Sequence, residues 1–281
     1  MQCGRIVSGG VQMVRKLFKH EMFYYIRSLL LVYIILGGIA LIGRFIAFFE
    51  ADAVSYTILR GSSIFALVVA IIATLCLTFV FVISRYYKNM FTGEGYLTLT
   101  LPVTATNHLF VKIVAAVLTY LISGVVCLLS VCVFTVGEQL NTLLQGVAEI
   151  WDYGTEVAGG HLILFVLEVI PIMIVSTASE ILMIYMCISL GQLFSKNRVL
   201  AAVGVYFALY IFYQILSTIF SIIFSISSMT WLEEWMASLT SWNIPLLVHA
   251  FAGVMFVWSL IISGVYFGVS RFVLTRKLNL E

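Results

Sequence analysis

The chain has 281 residues, of which 62% are hydrophobic and only 10% charged, and its mean hydropathy is +1.12. That composition excludes an ordinary soluble domain, since soluble proteins carry roughly a quarter charged residues; lipid has to be the solvent. The net charge of +2 says little by itself, and no nucleic-acid partner is expected.

Between Met13 and Ser28, apolar Val14, Leu17, Phe18, Met22 and Tyr25 recur at helical spacing, with Arg15, Lys16, Lys19, His20 and Arg27 interleaved at the opposite phase. The spacing predicts a basic amphipathic helix over 13–28, lying in the membrane surface with its cations toward anionic headgroups. The plainer alternative is a polar lead-in to the first span.

Six apolar runs follow, at 29–49, 62–84, 109–136, 171–190, 199–226 and 245–269. Each meets or exceeds the approximately 20 residues that cross about 30 Å of hydrocarbon. Backbone polar groups in lipid have to be satisfied within each segment, so these runs are helices. The expected fold class is an all-α polytopic membrane protein: six transmembrane helices in a single domain over 1–281, with no internal repeat. The fourth run is placed after Pro171, a residue suited to a helix's first turn.

The polar interruption over 85–112 reads as a loop with two faces. Leu97, Leu99, Leu101 and Val103 alternate with Thr98, Thr100 and Pro102, so an extended backbone puts apolar groups on one side and hydroxyls on the other. Pro102 biases Leu101 away from the helical region. On pattern alone this is either an interfacial loop resting on headgroups or a segment held by a partner. Glu94, Gly95, Leu97, Leu101, then Pro102, Val103, Thr104, Leu109 and Lys112 resemble the cytoplasmic loop between the second and third spans of type-2 ABC transporter permeases. The stretch from Gly95 to Pro102 is shorter than in many members of that family. The resemblance implies that Glu94, Gly95, Leu97, Leu101, Pro102 and Val103 belong to a coupling element that docks on a separate ATPase subunit. It also implies an elbow helix at 13–28 and a pore completed by a second permease copy or a homologous permease. Text of this kind begins at Met13, where the natural start is expected.

Charge distribution orients the chain. The N-terminal stretch, 85–112, 196–198 and the tail after Val269 hold thirteen of the fifteen Lys and Arg, whereas the other three loops hold Arg60 and eight acids. The positive side is cytoplasmic, so both termini are expected inside a cell membrane. In the outer loops, Leu140, Leu143, Leu144, Val147 and Ile150 predict a short interfacial helix between Gly137 and Gly159. Trp231, Trp235 and Trp242 predict another, anchored at the membrane boundary. In type-2 permeases the segment before the last span often dips back into the bilayer.

Glu180 is the carboxylate expected within the hydrocarbon, with Ser176, Thr177 and Ser179 around it. These residues either line a path or make a hydrogen-bonded helix contact. Glu168 is expected near the outer surface. Arg44 either pairs with Glu168 or Glu180 or, as its position near a span end favours, snorkels to the outer headgroups. Gly264 and Gly268 are spaced to let another helix approach. His20, His108, His161 and His249 have no cysteine or carboxylate at ligand spacing, and the five cysteines form no Cys-x-x-Cys pair. No metal, cofactor or catalytic residue is therefore expected. No glycine-rich loop ends in Gly-Lys-Ser or Gly-Lys-Thr, so any ATP hydrolysis falls to another chain. The leading expectation is the permease subunit of an ATP-driven exporter. The alternatives are a secondary transporter or channel without an ATPase, which calls for broken helices and a midplane ion site, or a membrane sensor or immunity protein.

Overall fold

The computed structural model describes residues 2–49, 54–92, 104–194, 196–239 and 244–276. These are almost wholly helical: α1 (Gln2–Phe48), α2 (Val54–Phe91), α3 (Ala105–Thr135), α4 (Glu138–Ala158), a 3-10 turn (Gly159–His161), α5 (Leu162–Gly191), α6 (Arg198–Leu239) and α7 (Ile244–Arg276). Six stretches are long and apolar enough to cross a membrane: Gln12–Ala47, Ser55–Phe91, Thr106–Thr135, Gly159–Gly191, Arg198–Ile223 and Val248–Thr275. The shortest has 26 residues, about 39 Å at 1.5 Å per residue. Large apolar side chains such as Phe65, Ile58 and Leu128 are two-thirds or more exposed. An apolar surface this extensive is stable only against hydrocarbon or another chain, which is compatible with a multi-pass membrane protein.

The chain divides into two compact units, Met1–Trp151 and Asp152–Glu281. In the first, α1, α2 and α3 pack on one another. Leu36, Ala40, Leu67, Cys127 and Phe134 form an apolar core. Hydroxyls tie the same helices together: Tyr33 Oη meets Ser123 Oγ at 2.7 Å, and Ser123 Oγ lies 3.0 Å from Thr78 Oγ1. Thr78 and Ser123 also donate to carbonyls one turn earlier, which keeps them satisfied away from water. In the second unit, α5 packs on α6 and α7. Its buried face is the C-terminal half, from Ile181 to Gly191.

Several helix boundaries differ from those the sequence suggests. α1 runs through Ser28 without a break, because neither proline nor glycine lies near that position and Glu21 is packed against the neighbouring helices. Arg85 and Lys88, read as loop, belong to α2, which stops at Phe91 just ahead of Gly93 in the sequence; His108 and Lys112 belong to α3. Pro171 lies inside α5 rather than at its first turn. It forfeits one backbone hydrogen bond, yet the helix continues back to Leu162, where its polar end is held by α7 as described below. Trp231 and Trp235 lie on α6 itself, not on a separate helix, and Trp242 falls outside the described residues. The helix expected between Gly137 and Gly159 forms as α4. Both bounding glycines have positive φ, 111° and 58°, a conformation that a side chain would strain.

Candidate functional site

Three side chains from two other helices of the first unit converge on one carboxylate of α1. Glu21 of α1 is 1% exposed. Its Oε1 accepts from Lys112 Nζ of α3 at 2.9 Å and from Asn89 Nδ2 of α2 at 2.8 Å. Its Oε2 accepts from Arg85 Nε of α2 at 3.1 Å. The Arg85 guanidinium also lies over the Tyr24 ring, 4.1 Å from its centre, a placement that favours a cation. Tyr25, Tyr86 and Met90 are buried around the same helix ends. His108, one helical turn before Lys112, is fully buried, and neither ring nitrogen hydrogen-bonds to a described residue.

This node sits where α2 ends and α3 begins, so it brackets the segment between them. Thr104 has extended backbone, φ −65° and ψ 146°, and its hydroxyl caps α3 by accepting from the Asn107 N–H at 3.4 Å. The threonine of the Pro-Val-Thr text thus has a local job, starting the next helix. Glu94, Gly95, Leu97, Leu101, Pro102 and Val103 lie outside the described residues.

At the opposite end of the same three helices, Arg60 is buried. Its Nη1 donates to the Gly43 carbonyl at 2.8 Å, and its guanidinium lies 4.4 Å from the centre of the Phe134 ring. Arg44 lies against Gly137: a Cβ there would sit 3.2 Å from the Arg44 Nη1.

In the second unit the predicted polar residues divide. Ser179 of α5 meets Ser263 Oγ of α7 and donates to the Ser259 carbonyl at 3.2 Å, making a helix contact. Ser176 bonds back to the Met173 carbonyl of its own helix. Glu180 is exposed, with no polar partner among the described residues. Glu168 is engaged by His249 of α7, whose Nδ1 lies 2.9 Å and 2.8 Å from the two carboxylate oxygens. The other nitrogen of that ring, Nε2, lies 3.2 Å from His161 Nδ1. Phe165 stacks on the His249 ring at 4.2 Å and 16°.

Sequence reasoning missed two of these groupings. Glu21 counted only as one acid among many cations. His161, Phe165 and Glu168 do share a helix face at i, i+4 and i+7, but no local pattern announces that His249, some eighty residues on, completes the row. Compared with family models, with curated proteins and with solved structures, the chain matches none.

Proposed function

We propose that this chain is the membrane-spanning subunit of an ATP-driven exporter of the ABC type, seated in the cell membrane with both termini cytoplasmic. It works with a second copy or a homologous permease and is driven by a separate ATPase subunit. The observation that carries this reading is the Glu21 node. A loop that transmits force needs both its ends anchored, and here the helix end before the loop and the helix start after it are tied to one carboxylate on a third helix. The family-like text from Glu94 to Val103 lies between those anchors in the sequence.

On this reading, closure of the ATPase subunits pushes on the 94–103 segment. Glu21 of α1 and the linked ends of α2 and α3 then move as one body, because bending one helix alone would pull a donor away from a buried carboxylate. That movement tilts the second and third spans and opens the central path outward. The basic residues at 13–28 lie on the cytoplasmic side by the charge asymmetry, and they belong to α1, which is helical through Ser28 without a break. Glu180, exposed on α5 at hydrocarbon depth, faces the path shared with the second permease, where water or a partner lowers the cost of its charge.

The test is Glu94→Arg. The variant is expected to insert and accumulate like wild type but to lose co-purification with the cognate ATPase and the stimulation of its hydrolysis. Unchanged co-purification and transport would overturn the assignment.

A further inference from the structure

Independently of the transport reading, the second unit carries a row of groups whose arrangement suits a metal ion. We propose that His161 and His249 form a binding site for a borderline divalent transition metal of the zinc class, with Glu168 as its orienting carboxylate.

Both oxygens of Glu168 lie within 2.9 Å of His249 Nδ1. A carboxylate accepts and cannot donate when ionised, so His249 carries a proton on Nδ1; in the neutral ring, the form that binds a metal, the lone pair is then on Nε2. That lone pair faces His161 Nδ1 at 3.2 Å. Two nitrogens each about 2.0–2.1 Å from one tetrahedral metal stand about 3.3 Å apart. The two nitrogens are thus already separated as ligands of one ion would be.

The supporting contacts also fit. A metal-bound histidine commonly donates its second N–H to a carboxylate, which fixes the tautomer and raises the basicity of the coordinating nitrogen. Glu168 supplies that acceptor. Phe165, stacked at 4.2 Å, holds the ring plane. The His249 side chain is 16% exposed, whereas His161 is exposed, so the outer coordination positions are open to water. Imidazole nitrogens with water suit zinc, copper or nickel rather than magnesium or calcium.

The protons balance without ionising either ring. In the metal-free site the His161 proton is on Nδ1, donated to His249 Nε2. When the metal takes both nitrogens, that proton passes through solvent to Nε2 of His161, an exposed residue. No group of three His, Cys, Asp or Glu side chains converges as ligands among the described residues; the site has two protein ligands, with water completing the shell.

The full chain, purified without a histidine tag in detergent or nanodiscs, is titrated with Zn²⁺ by calorimetry and by competition with a chromophoric chelator. Wild type is expected to take up one equivalent more than His161→Ala or His249→Ala. Glu168→Gln is expected to keep the stoichiometry and to bind 10–100-fold more weakly, with its metal-free thermal stability unchanged. His161 is exposed, so its variant carries the test even where His249→Ala fails to fold. Uptake that is absent in wild type, or equal in wild type and His161→Ala, would show that the rings share a proton only and would overturn the site.

Discussion

At the residue scale the first unit turns on Glu21. A carboxylate taken out of water costs several kcal/mol unless its lone pairs are filled, and this one is filled from three side chains on two other helices. Such an arrangement specifies register more than it adds stability, because an apolar trio of similar volume would also pack. Removing one member is different. Glu21→Gln makes Lys112 and Arg85 face an amide in place of a charge, and a broken buried pair costs about 3–5 kcal/mol. Thermal unfolding of the purified protein is expected to begin well below wild type in Glu21→Gln. The exposed Glu156→Gln should unfold as wild type does. A Glu21→Gln protein with an unshifted midpoint would mean that the node holds nothing together. None of this was readable in the sequence, where Glu21 lies 64 residues from Arg85 and 91 from Lys112, far beyond any helical period.

At the element scale the six spans were legible because hydrocarbon leaves a long apolar run only one option, the helix. Their ends were not. A boundary becomes visible through a breaker or a cap, as at Gly137 and Gly159 around α4, and none marks Ser28 or Arg85. Pro171 misled because proline at a first turn and proline inside a membrane helix look alike without knowledge of what holds the preceding turns. Close approaches between helices were equally hidden. A Cβ on Gly43 would fall 2.0 Å from a ring carbon of buried Phe134, and one on Gly191 would fall 2.7 Å from the backbone nitrogen of Ala202, whereas one on Gly38 meets nothing within 4 Å. The Phe134 ring is able to tilt, at the expense of its contact with Arg60, but a backbone nitrogen cannot yield without moving α6. Gly43→Ala is expected to lose about 1–3 kcal/mol to overpacking, and Gly191→Ala at least as much. Gly38→Ala should match or exceed wild type, since alanine is the better helix former by about 1 kcal/mol. Chemical or thermal denaturation of the three variants side by side checks the order, and a Gly191→Ala protein as stable as Gly38→Ala would contradict the α5–α6 approach.

At the scale of the whole molecule the decisive quantity is the side on which the loop between α2 and α3 emerges. Two observations bear on it without reference to how the two units sit. Six helices are long and apolar enough to span, and an even number of crossings returns a chain to the side on which it started. The N-terminal stretch, 85–112, 196–198 and the tail after Val269 carry thirteen of fifteen cations, against one cation and eight acids in the three segments between the other spans. Cytoplasmic loops retain lysine and arginine because these residues resist translocation, so the orientation proposed above puts the α2–α3 loop inside and α4 outside. Thr104 and Tyr153, one in each region, are both exposed, and each accepts a cysteine without disturbing a packed core. In a background whose native cysteines are replaced by serine or alanine, an impermeant maleimide is expected to label Tyr153→Cys on intact cells. Thr104→Cys should be labelled only after the membrane is opened. The reverse pattern would place the Glu21 node and its loop beyond the reach of any cytoplasmic ATPase, and the exporter reading would fall with it. The His161–His249 site would stand, because its ligands and their carboxylate lie within one unit and owe nothing to the direction in which the chain crosses the bilayer.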